Sequence, residues 1–103
     1  MRNSMAIEKI QAIFDEKHIY VDRTISKKYQ EPLNGMKPIL TFKGLWQMFV
    51  TYYVVVYEDG SVKRYFPLKN NSKRKYMEKN HADVLNEDIW YIPKSLISNF
   101  IKE

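Results

Sequence analysis

The chain has no cysteine, only three glycines and four prolines. The lack of cysteine excludes disulfides, thiol nucleophiles and cysteine-ligated zinc, and it fits a reducing compartment, so a cytoplasmic location is expected. Gly35, Gly44 and Gly60 leave little material for a phosphate-cradling loop, and no GxxxxGK[ST], GxGxxG or nucleophile-elbow pattern occurs. A nucleotide-dependent enzyme is therefore not expected. The longest apolar stretch, Leu45 to Tyr57, falls short of the roughly 20 residues that a membrane helix needs, and it is β-branched. The leading segment MRNSMAIEKIQAIFDEKH carries charges inside its apolar pattern and has no small-residue cleavage site, so it does not read as a signal peptide. His and carboxylate residues do not recur at ligand spacing on one element, and Asp83, Glu87 and Asp88 read as surface charges; no metal or cofactor is expected.

Aromatic residues, by contrast, are abundant: five Phe, eight Tyr and two Trp. With hydrophobic residues at 45%, global disorder is excluded. At 103 residues the sequence fits one domain with its own core. Lys plus Arg is 17 against 12 for Asp plus Glu, a net charge of +5 that favours solubility and mild attraction to polyanions.

Periodicity gives an α+β fold. Ser4 suits a helix N-cap, and Ala6, Ile7, Ile10, Ile13 and Phe14 then fall on one helical face, predicting a helix over about 4–17. Ile19, Val21 and Ile25 alternate with polar residues as in a short strand. Pro32, Asn34, Gly35 and Pro38 mark a loop, and a strand should begin at Pro38, because proline cannot donate to a ladder. Gly44 reads as a bend or bulge. The strongest local signal is TYYVVVYEDGSVKRYFPL, a long hairpin over about 46–58 and 61–68 turning at Asp59-Gly60. A two-residue turn pairs Tyr57 with Val62, Val55 with Arg64, Tyr53 with Phe66 and Thr51 with Leu68. That places Tyr53, Val55, Phe66 and Leu68 against the helix; a three-residue loop with a bulge would shift the register and the faces. The following segment reads as a loop or as the start of a short helix capped by Asn71 or Ser72 and continuing toward Ala82 and Leu85, with loop and then short helix favoured. A strand at 88–92 and a helix at 94–102, opened by Pro93 and striped by Leu96, Ile97, Phe100 and Ile101, complete the chain.

The functional signal lies where this hairpin runs into positive charge. Lys63, Lys69, Lys73, Arg74, Lys75 and Lys79 form a basic segment, and Tyr52, Tyr65 and Tyr76 are the aromatic residues beside it. Cations interleaved with rings could neutralise phosphates and stack on bases, or meet an acidic protein surface. The plain alternative is a solvated stretch that keeps the protein soluble. The expectation is a small non-enzymatic protein that occupies a surface on nucleic acid or on a nucleic-acid-handling protein. One rival is a phage or mobile-element inhibitor directed at a host enzyme or defence complex, such as a CRISPR effector. Another is a small ribonuclease toxin using His18 or His81 with a lysine, although nothing in the spacing of the two histidines argues for it.

Overall fold

Ala6, Ile10 and Phe14 recur at helical spacing, and all three are fully buried on one stripe of helix α1 (Asn3–Glu16). They belong to a computed structural model that describes residues 3–25, 30, 32–68, 71–85, 90–98 and 100. The expected capping side chain of Ser4 lies outside the described side chains. Helix α1 ends in a Schellman motif. The Ile19 N–H bonds the Phe14 carbonyl at 2.9 Å, the His18 N–H bonds that of Asp15 at 3.0 Å, and His18 takes a left-handed φ of 59°. The motif carries Ile19 straight into the core beside Phe14.

The sheet contains β1 (Val21–Ile25), β2 (Pro38–Trp46), β3 (Val50–Tyr57), β4 (Ser61–Tyr65) and β5 (Trp90–Tyr91), in that spatial order. Every neighbouring pair is antiparallel. The helices that follow are α2 (Asn71–Asn80), α3 (Ala82–Leu85) and α4 (Lys94–Ile97). The architecture is thus α+β, with α1 and the C-terminal elements against one face of the sheet. Leu40, Phe42, Tyr52, Val54, Val56 and Val62 form that face and pack with Ile10, Phe14, Ile92, Leu96 and Ile97. Burying each such aliphatic or Phe side chain contributes about 1.5–3 kcal/mol. Phe14 also meets Phe42 and Trp90 edge-on, at 5.4 and 5.5 Å between centroids.

Two sequence expectations are corrected here. The strand expected from 46 starts at Val50, because the chain reverses through Gln47–Phe49 and pairs Trp46 with Val50. The second hairpin uses the three-residue Glu58–Gly60 loop, so Val56 faces Val62, Val55 faces Lys63, Val54 faces Arg64 and Tyr53 faces Tyr65. This one-residue shift puts Val62 and Arg64 on the face of Tyr52, Val54 and Val56, and that face packs on α1; Tyr53 and Val55, expected against the helix, lie on the opposite face with Lys63 and Tyr65. The expected helix in the basic segment is present: it starts at Asn71, carries the fully buried Met77, and is followed by α3 up to Leu85.

The opposite face is not a bare patch. Thr41, Val55 and Tyr57 are buried there, and the Tyr57 hydroxyl meets that of Tyr65 at 2.9 Å. Strand β5 and helix α4 are shorter than the expected 88–92 and 94–102, with residues 88, 89, 99, 101 and 102 outside the described part. Pro38 begins β2 as expected. Gly44 lies within β2 opposite Tyr52 on one side and Val21 on the other; the pairing with β1 is irregular from that Val21–Gly44 pair to Ile25–Phe42, and the pairing with β3 is irregular between Pro38 and Leu40.

Candidate functional site: the corner between the first hairpin and the basic helix

Tyr52 leans across β2 at Gly44 and donates its hydroxyl to the Tyr20 carbonyl at 2.5 Å. Only glycine permits this crossing, since a Cβ at position 44 would lie 2.5 Å from the Tyr52 ring and 2.6 Å from the Tyr20 carbonyl oxygen. The crossing leaves a cleft of about 290 Å³ lined by His18, Tyr20, Leu45, Trp46, Gln47 and Tyr52. Behind it the Arg64 guanidinium lies 5.5–5.6 Å from the ring centroids of Tyr52, Trp46 and Phe66. Such contacts contribute about 0.5–2 kcal/mol each and hold the rings in place. The Trp46 indole N–H is buried with no acceptor among the described residues.

Backbone strain converges on the same corner. Among the described residues the non-glycines with positive φ are His18, Asn34, Gln47 and Met48. Three of these four belong to the cleft or its rim. Gln47 and Met48 are consecutive left-handed residues at 49° and 67°, in a turn closed by the Phe49 N–H on the Trp46 carbonyl at 3.2 Å. Asn-Gly is the preferred pair for such a turn, and the structure uses it at Asn34-Gly35, where φ is 51° and 81°. Gln-Met is disfavoured, and strain of this kind is retained where the surroundings over-determine it. Here the turn also projects apolar groups: Met48 is 84% exposed, Leu45 49% and Phe49 39%.

Tyr76 of α2 fastens this turn. Its hydroxyl donates to Gln47 Oε1 at 2.6 Å and its ring meets Phe49 edge-on at 5.3 Å. His81, at the break between α2 and α3, places Nε2 3.3 Å from the Tyr76 hydroxyl and 3.5 Å from the Gln47 side-chain nitrogen, with its ring 5.3 Å from Trp46. The two histidines thus come to one corner, on either side of Gln47. Each stands among tyrosine hydroxyls and amide groups; His18 Nδ1 is 3.5 Å from the Tyr20 hydroxyl.

The expected site residues divide. On α2, Ser72, Lys75, Tyr76 and Lys79 share one face at the i, i+3, i+4, i+7 spacing, and Lys75 and Lys79 are exposed. Arg74 is exposed and bonds the Leu68 carbonyl, while Lys73 is half-buried. Lys63 and Tyr65 lie away from this corner on the opposite sheet face, the ammonium 5.0 Å above the ring. Tyr52 is only 2% exposed, so it is a wall of the cleft and not an open stacking ring. Lys69 lies outside the described residues.

Sequence reading missed Trp46, Gln47, Met48, Phe49 and Tyr20. A length argument could have found the turn. The apolar stretch from Leu45 to Tyr57 is far longer than the 5–6 residues of a usual strand, and Gln47 is the polar residue within WQMFV where it could break. Among the described residues no helix is long and apolar enough to cross a membrane. No family model, curated protein or solved structure matches the chain.

Proposed function

We propose that this protein acts by occupying a surface of its partner, nucleic acid or a protein that handles nucleic acid, and not by catalysis. The observation that carries this reading is the Tyr76–Gln47 hydrogen bond, which locks the exposed cations of α2 to the exposed apolar turn of the first hairpin. Charged rims around apolar centres are how surfaces gain both steering and affinity.

The electrostatics of α2 support it. Its first turn contains no acidic residue, and Lys73, Arg74 and Lys75 stand close to the N-terminal, positive end of the helix dipole. That placement is unfavourable for an isolated helix and is relieved by a bound anionic surface. The test is direct titration with single- and double-stranded oligonucleotides across a salt series, beside a search for a stoichiometric protein complex. Binding to nucleic acid should weaken steeply with salt, and Lys75→Ala and Lys79→Ala should each reduce the salt slope by about one. Absence of any oligonucleotide binding at low salt, together with absence of a stoichiometric protein complex, rejects the proposal.

A further inference from the structure

The cleft, the strained turn and the α2 cations form one continuous surface. Gln47 lines the cleft and accepts the Tyr76 hydroxyl bond, and Tyr76 lies between Lys75 and Lys79 on the helix face. A ligand leaving the cleft over Gln47 therefore meets positive charge. At about 290 Å³ the cleft falls at the lower limit of the roughly 300–1,000 Å³ that drug-sized ligands occupy, which suits one inserted side chain. Its walls are rings and an aliphatic group, Tyr20, Trp46, Tyr52 and Leu45, with His18 and Gln47 as polar edges.

These features discriminate between partners. Base stacking needs open ring faces. Tyr52 is buried, Tyr76 is engaged by Phe49 and His81, and Trp46 is flanked by His81, Phe66 and Arg64. The most exposed apolar group at the corner is the Met48 thioether, and Met is favoured at protein interfaces. One open tyrosine, Tyr20 at 64% exposure, is a poor platform for a strand of bases.

We propose that this corner binds an acidic peptide segment of a partner protein, with an apolar or aromatic side chain of the segment seated in the cleft and its carboxylates along Lys75 and Lys79. The proposal rests on the surface-occupation reading and names the class of partner. The Met48 and Phe49 side chains cover the segment between anchor and charge.

Selection from a displayed library of random linear peptides against the intact protein tests it. Enriched peptides should combine a large apolar residue with Asp or Glu, and their affinity should fall with salt. Tyr20→Ala, which removes an exposed cleft wall while keeping the backbone carbonyl that Tyr52 uses, should weaken them by about tenfold or more, as loss of an interface anchor does. Leu45→Arg, a second exposed wall, should do the same, and the Lys75→Glu, Lys79→Glu pair should abolish the salt dependence. Enriched peptides without acidic residues, or binding indifferent to both cleft variants, overturn the inference. A single-stranded DNA oligonucleotide and heparin are titrated in parallel. If the oligonucleotide binds and survives Tyr20→Ala while no peptide is enriched, the inference falls and surface occupation stands. If peptide, oligonucleotide and heparin all fail to bind, the inference falls, and surface occupation falls with it when no stoichiometric protein complex is found either.

Discussion

At one end of β3 the chain reverses through Glu58–Gly60, at the other through Gln47–Phe49, and the two reversals are made of opposite materials. The first puts glycine where φ is 90° and ties its preceding Asp59 to Ser61, with Oδ1 accepting the Ser61 N–H at 2.8 Å and its hydroxyl at 2.5 Å. The Gly60 carbonyl then accepts the Ile92 N–H at 2.9 Å, which brings the C-terminal elements onto the core. The second has left-handed Gln and Met where glycine or asparagine would be comfortable, and it spreads Leu45, Met48 and Phe49 into solvent. One turn serves the fold. The other carries strain and apolar exposure that folding does not require, and a sequence keeps such a turn when its side chains have work elsewhere.

The largest effect should come from damaging the comfortable turn. In Gly60→Ala a Cβ would stand 2.7 Å from the Ile92 carbonyl oxygen, and the residue would also be forced into left-handed backbone. Strain and clash together should cost about 3 kcal/mol, read as a lowered urea midpoint. Gly35→Ala separates the two contributions, because Gly35 also has positive φ but an added methyl there would meet nothing within 4 Å. It should lose only the backbone part, about 1–2 kcal/mol. Equal losses at the two glycines would show that the contact with Ile92 is unimportant.

The strained turn should respond in the other direction. Replacing Gln47-Met48 by Asn-Gly gives this backbone the residues it prefers, and the gain should be up to about 1–2 kcal/mol, less whatever the Gln47–Tyr76 bond contributed. Binding should move oppositely, since the same change removes the Met48 side chain and the tie to α2. A variant neither more stable nor weaker in binding would mean that the two turns do not differ as described.

How much of this contrast the sequence showed follows from the chemistry of each turn. Asp59-Gly60 is a local signal, legible because glycine and aspartate have turn preferences of their own. Its loop length is not local, since two- and three-residue loops share the same residues; the register, and with it which β4 residues share a face with Val54 and Val56, follows from the loop length, and packing selects which face meets α1. The Gln47–Phe49 turn has no local signature at all, so a β-branched and aromatic stretch read as one strand. Helix α1 is plain from apolar spacing, whereas α2 is signalled only by a capping residue at 71 or 72, because among its described side chains Met77 alone is buried. Charge located the cations of the site but could not locate its cleft. Tyr20 is far in sequence from Trp46 and Tyr52, and the three meet through the antiparallel pairing of β1, β2 and β3.

The smallest predicted effect sharpens the comparison from the stable side. The hydrogen bond from the Ser61 hydroxyl holds the Asp59 carboxyl below its ordinary value of 3.8; burial opposes it, and the backbone N–H donors and Lys94 add to the lowering. A carboxylate whose folded pKa is depressed stabilises the native state fully above the unfolded pKa, and that contribution disappears as pH falls through the folded value. Thermal stability of the wild type should therefore fall as pH drops below about 4, partly through this turn. Asp59→Asn keeps the side chain's shape and one acceptor oxygen but removes the charge, so it should unfold slightly earlier near neutral pH. The gap to wild type should narrow on acidification, where the native Asp59 is itself protonated. A gap that stays constant from neutral pH to below the folded pKa would assign the turn's stability to Gly60 and its contact with Ile92, and leave the Asp59 charge without a share in it.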